Sequence, residues 1–191
     1  MRIILFSPVF LRPTETFIYD SLIELVKSGA KVLPVAEKRN SEDLFPFDSV
    51  KIVPRRPSNK LIRIKNKLAR LISHEWENEI IYKNQAKQFK KIIKSFNPDI
   101  IYASYGHGGV QMADIANALN IPLVVSFHGA DASRRAQKKE WQKKFKDLFE
   151  TASIITGPSN YVREKLISLG CPPDKARTLH NGIHLEKIPF K

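Results

Sequence analysis

Short apolar runs, each too brief for a helix and each closed by a polar turn, recur along this chain with helix-length segments between them. Leu123-Val124-Val125, behind Ile121-Pro122, is the plainest: β-branched and without a polar break, it reads as a strand buried on both faces. Comparable runs occupy residues 2–7, 31–36, 50–53, 100–103, 153–156 and 176–179. Strands alternating with helices require right-handed βαβ crossovers and a largely parallel sheet. The predicted fold class is therefore α/β, a doubly wound, largely parallel sheet of about seven strands.

Helices are expected over 15–27, 58–73, 76–95, 106–119, 134–150 and 159–169. Thr14 or Thr16 would cap the first, which Ser28-Gly29 ends. The second carries Leu61, Ile64, Leu68, Leu71 and Ile72 along one face, interleaved with Lys60, Arg63, Lys65, Lys67 and Arg70 and no acid. Such a stripe is either an ordinary solvated face or a surface for an anionic membrane, where each Lys or Arg contributes about 1 kcal/mol.

In a doubly wound sheet ligands bind outside the carboxyl ends of the strands. Three turns should meet at that edge. Pro13-Thr14-Glu15-Thr16 follows the first strand, Gly106-His107-Gly108-Gly109 the fourth, and His128-Gly129-Ala130-Asp131 the fifth. The glycine turn would let backbone N–H groups approach a phosphate, and the helix near Glu15 would direct its positive end at an anionic group. Each turn also has a plain structural reading. Gly106 and Gly129 could serve tight turns, Asp131 could cap the next helix, and Glu15 could belong to a capping box.

Familiar catalytic patterns are missing. Gln111 breaks a G-x-G-x-x-G fingerprint, and no Gly-Lys-Ser/Thr, G-x-S-x-G or H-E-x-x-H is present. No metal site is expected: His180 and His184 are separated by Gly182 in a segment without helical pattern, and Cys171 is the single cysteine. The lone cysteine also excludes an internal disulfide, in keeping with a reducing compartment. The 191 residues suit one domain. Their 32 Lys and Arg against 19 Asp and Glu, a net +13, call for an anionic partner. Basic residues scattered over several helices, without an RRM signature or zinc-finger spacing, argue against nucleic acid. With no signal-peptide core and no run of transmembrane length, a cytoplasmic protein is expected, either soluble or peripheral on the inner face of the membrane.

Taken in order, these motifs resemble the N-terminal half of a retaining GT-B glycosyltransferase of the "group 1" family, or family 4. The likeness rests on Pro13-Thr14-Glu15-Thr16-Phe17-Ile18, Pro98-Asp99-Ile100-Ile101-Tyr102-Ala103 with Gly106-His107, and Ile121-Pro122 leading to Phe127-His128-Gly129-Ala130-Asp131. Pro158-Ser159-Asn160-Tyr161-Val162 and His180-Asn181-Gly182-Ile183-His184 extend it. It departs from the family's Gly-rich first loop, since residues 10–16 contain no Gly, and matches instead the subgroup with Ser/Thr-Glu-Thr-Phe, common among polysaccharide and lipopolysaccharide enzymes.

The resemblance implies a Rossmann-like acceptor-binding domain over 1–180 and the start of an interdomain linker over 181–191, facing a C-terminal donor domain. The nucleotide sugar would be a co-substrate held mainly by that second domain, with no other cofactor. The acceptor would be a glycan or lipid-linked glycan in cell-surface polysaccharide synthesis. By position, His128 would approach the transferred sugar as the catalytic residue. Thr14, Glu15, Thr16, Gly106, His107, Gly129 and Asp131 would border acceptor and donor phosphates, and Asn181-Gly182 would form the hinge. The complete enzyme would be a hexosyltransferase, and the fragment alone inactive. The alternative is a stand-alone module that binds a nucleotide, a phosphorylated metabolite or an anionic membrane without catalysis.

Overall fold

The computed structural model describes residues 1–55, 64, 69 and 74–182. Lys60, Arg63, Lys65, Lys67 and Arg70 lie outside these residues, as do His184 and nearly all of the helix expected over 58–73. Seven strands, β1 (Arg2–Phe10), β2 (Lys31–Arg39), β3 (Lys51–Ile52), β4 (Ile100–Ser104), β5 (Leu123–Ser126), β6 (Ile154–Gly157) and β7 (Ala176–Thr178), form one sheet in the order β3-β2-β1-β4-β5-β6-β7. Every pairing is parallel, as the alternating pattern requires. Among the described residues the helices are α1 (Thr16–Lys27), α2 (His74–Phe96), α3 (Gly106–Leu119), α4 (Lys139–Thr151) and α5 (Asn160–Ser168), with a π-helical turn at Asp131–Arg135; Ile64 and Ala69 are also helical. The fold is Rossmann-like.

β1 sits between β2 and β4, so the strand order changes direction there and opens a crevice at the carboxyl edge. The strand is buried on both faces because its side chains alternate into two cores. Ile4 and Phe6 join the larger one, with Phe89 and Ile93 of α2, Met112 and Ile115 of α3, and Phe145 and Leu148 of α4. Leu5 joins Ile18 and Leu22 of α1, with Phe10, Leu11 and Phe45, on the opposite face. Phe6 is fully buried and meets Phe89 edge-on at 5.4 Å, a burial worth roughly 1.5–3 kcal/mol. At the amino edge, Asp99 Oδ2 accepts the Arg2 N–H at 2.7 Å and the Arg2 guanidinium stacks on Phe96 at 4.7 Å.

Three local expectations are corrected. β1 and β2 run beyond residues 7 and 36, because Val9 and Phe10 still pair with Lys38 and Arg39. Pro8 merely drops out of the ladder, as it has no N–H to contribute. The helix expected over 134–150 is broken: Lys138 is extended (φ −84°, ψ 124°) and α4 restarts after it, with Ala136 buried between. Neither Thr14 nor Thr16 caps α1, whose cap position is Glu15.

Candidate functional site

Three loops meet at the carboxyl edge beside the switch between β1 and β4. The loop after β1 closes on itself, with Glu15 N–H donating to Arg12 O and Arg12 N–H to Glu15 Oε2, both at 2.9 Å. The Glu15 carboxylate is thereby turned away from its own helix and makes no cap bond. Its second oxygen accepts the Tyr105 hydroxyl at 2.8 Å, joining residues 90 positions apart. Glu15 is only 6% exposed, so these bonds are what make its burial tolerable.

Tyr105 leads from β4 into α3 with φ 67° and ψ 146°, a region that side chains rarely enter and that costs about 1–3 kcal/mol. This backbone places the next N–H, that of Gly106, against Asp131 Oδ2 at 3.1 Å. The other Asp131 oxygen lies 3.3 Å from both His107 Nδ1 and Arg135 Nε. Asp131 therefore does not cap its own helix. It is 3% exposed and ties the glycine turn after β4 to the turn after β5.

The glycines also have a packing role. A Cβ on Gly106 would lie 2.4 Å from the Phe127 ring, and one on Gly109 2.6 Å from Val125 Cγ1, so their absence lets α3 lie close on β5. The two helix N-termini thus differ. The α3 end, expected to face a phosphate, holds the Asp131 carboxylate, whereas the α1 end has no side-chain cap and keeps its positive dipole unanswered by one. Thr14 and Thr16 are exposed beside it, and Gly129 is exposed with no atom within 4 Å of where a Cβ would stand.

His128 is half-buried between Phe17, with ring centroids 4.6 Å apart, and the edge of Tyr105 at 4.9 Å. Burial lowers its pKa below the ordinary 6.5, against the opposing pull of the Asp131 and Glu15 charges, so the imidazole is neutral at pH 7. Tyr105 also stacks on His107 at 5.4 Å. Burial and the Glu15 carboxylate raise its hydroxyl pKa, which keeps it a donor. The result is a wall of two histidines and two aromatics braced by two engaged carboxylates.

The structure thus brings together Glu15, Gly106, His107, His128 and Asp131. Asn181 and Gly182 are exposed and follow β7, the edge strand of the sheet. Sequence reasoning did not single out Tyr105, Phe17 or Arg135; a tyrosine directly ahead of the glycine turn was the available signal for the first. Among the described residues no group of three or more His, Cys, Asp or Glu is placed to hold a metal ion, and no helix is long and apolar enough to cross a membrane.

The amylovoran biosynthesis glycosyltransferase AmsK of Erwinia amylovora is 34% identical to this chain over 101 residues, 51% of this chain and 25% of that protein. Among solved structures, Anabaena Alr3699/HepE in complex with UDP-glucose superposes with a TM-score of 0.70 at 15% identity, over 97% of this chain and 45% of that one. UDP-GlcNAc 2-epimerase from Neisseria meningitidis, bound to UDP-GlcNAc, follows at 0.62 and 14%, over 93% and 45%. The chain thus spans less than half the length of these relatives. A family description matches residues 14–187, nearly the whole chain, and by that match the chain belongs to glycosyltransferase family 4.

Proposed function

We propose that this chain is the acceptor-side half of a retaining, two-domain GT-B glycosyltransferase. The complete enzyme moves a sugar from a nucleotide-sugar donor to a glycan or lipid-linked glycan in cell-surface polysaccharide synthesis. Residues 1–180 form the domain and 181–191 begin the linker, with Asn181-Gly182 as hinge. The observation that carries the reading is the junction of Glu15, Tyr105, His107, His128 and Asp131 at the sheet's switch point.

The chemistry follows from the state of each group. Both oxygens of Glu15 and of Asp131 already have partners within the protein, so the two carboxylates act as braces, not as free nucleophiles. His128, neutral and held between two rings, can exchange a hydrogen bond with a hydroxyl of the transferred sugar and favour the charge developing at its ring. That helps only where the interaction strengthens in the transition state. The uncapped α1 terminus, with Thr14 and Thr16, favours a donor phosphate or an acceptor anion. Closure of the second domain would exclude water and complete the site. On the +13 charge we place the enzyme at the cytoplasmic face of an anionic membrane.

The test is transfer by the intact enzyme from a panel of nucleotide sugars to lipid-linked acceptor, with anomeric configuration followed by NMR. His128→Ala should lower kcat about 10²–10³-fold with little change in donor KM or Tm. Wild-type kcat in that variant, or inversion at the anomeric carbon, would refute the proposal.

A further inference from the structure

Behind His107, on the α2 and α3 side of the sheet, lies a second cavity of about 520 Å³. His107 and Arg135, the two partners of Asp131 Oδ1, both line it, so the cavity adjoins the wall described above. Its acidic groups are matched by neutral donors. Glu37 Oε1 accepts from Gln85 Nε2 at 2.9 Å and from Gln111 Nε2 at 2.7 Å, and Asp114 Oδ2 accepts the Tyr82 hydroxyl at 2.9 Å. Gln85 is 4% exposed and spends a second bond on Val53 O at 3.1 Å, which fixes this network from beneath.

The cations of the same cavity are arranged differently. The Arg135 guanidinium lies 4.6 Å from the Trp141 ring centre and the Lys144 ammonium 5.0 Å from it, so the indole gathers both charges at one place. Arg55 stands on the cavity wall with them, and among the described residues neither Arg55 nor Lys144 has a carboxylate partner. Arg135 shares Asp131 with His107 and Gly106. Glu37 and Asp114 keep their charges and Arg135 is shared with Asp131, so the cavity's positive character is local, at Arg55 and at the Trp141 corner where Lys144 joins Arg135, beside polar groups that suit hydroxyls. Arg stacked on an indole is also pre-organised, so its fork loses little freedom on meeting an oxyanion.

We propose that this cavity is the subsite for an anionic substituent of the acceptor saccharide. Arg55, Arg135 and Lys144 take the carboxylate or phosphate, and Tyr82, Gln111 and Asp114 meet neighbouring hydroxyls. This deepens the acceptor-side reading and rests on it. The anion has two sources, an acidic sugar within the glycan or the phosphate that links a glycan to its lipid. The shared chemistry is an oxyanion carried by the acceptor.

Isothermal titration of the chain with cellobiose, cellobiouronic acid and cellobiose 1-phosphate decides the matter. At least one anionic probe should bind about tenfold or more tightly than cellobiose, as a charge-assisted hydrogen bond would give. Arg55→Ala and Lys144→Ala, both at the protein surface, should each remove most of that preference at unchanged Tm, and Lys144→Arg should restore it. Lys165→Ala on α5 controls for the general positive charge. Preference for the uronate identifies an acidic sugar, and preference for the phosphate identifies the lipid linkage. The proposal is overturned if cellobiose binds as tightly as both anions, if neither anion saturates, or if Lys165→Ala weakens binding as much as the cavity variants. Because the titration needs neither donor nor transfer, its failure leaves the His128 test standing, and failure of transfer leaves the titration standing.

Discussion

Asp131→Asn keeps the side-chain volume and one oxygen, and removes only the charge and the second acceptor. In the native protein Oδ2 takes the Gly106 N–H at 3.1 Å, while Oδ1 lies 3.3 Å from Arg135 Nε and His107 Nδ1. An amide cannot serve both sides. Whichever way it turns, its NH₂ group faces either a buried N–H or a guanidinium. A buried donor left unmatched costs about 1–3 kcal/mol. The Arg135 pair adds only about 0.2–1 kcal/mol, because that side chain is 36% exposed and screened. The sum, roughly 1–4 kcal/mol, lowers Tm by about 2–16 °C for a chain of this size. A second signature is independent of stability. The Asp131 charge opposes the effect of burial on His128, so its removal moves the His128 titration further below 6.5. Thermal melts followed by circular dichroism and NMR titration of the histidine Cε1 protons, with His128 assigned from His128→Ala, read both effects. An unchanged Tm with an unchanged His128 midpoint, or a midpoint that rises, would refute the bridging role of Asp131.

Gly109→Ala should cost about 1–3 kcal/mol despite the better helix propensity of alanine, since its Cβ would sit 2.6 Å from Val125 Cγ1 and 3.0 Å from Leu148 Cδ2. Val125→Ala in the same chain should return part of that loss in urea melts, and additive losses would argue against the clash. Because the folded-state pKa of His128 is depressed, the unfolded chain takes up this proton first. Its contribution is complete above pH 6.5 and fades as pH falls through the folded-state value, a slope that His128→Gln should flatten in stability-against-pH curves. Burial pushes the Cys171 thiol up to about 11, so a thiol reagent at pH 8 should label it rapidly only in denaturant, and fast native labelling would contradict this.

Much of the fold was legible because strands and helices here are local events. A run such as Leu123-Val124-Val125 is unambiguous by composition, and the punctuation of Ser28-Gly29, Asn97-Pro98 and Gly170 marks where elements stop. Given parallel strands, the meeting of the loops after β1, β4 and β5 follows from topology alone, which put Glu15, His107, His128 and Asp131 among the candidates. What each of them does there was less accessible. A capping role was the natural expectation for Asp131, because caps are local, yet its partner is an N–H 25 residues earlier. The glycines invited a phosphate, but two of them are small because Phe127 and Val125 lie against them. Tyr105 gave no local signal of its positive φ, which is sustained by bonds to Ser126 O and to Glu15.

The sequence by itself determined the order and kind of the elements, the parallel sheet, the excess of positive charge and the residues at the strand ends. These depend on periodicity and composition, which any short stretch of chain expresses. Only the tertiary structure decided which groups are engaged and which stay available: it spent Asp131 on α3, left α1 without a side-chain cap, and gathered Arg135 and Lys144 on Trp141. Hydrogen bonds and charge pairs are satisfied by whatever folding brings within about 3 Å, and that distance is set by the packing of elements far apart in the chain.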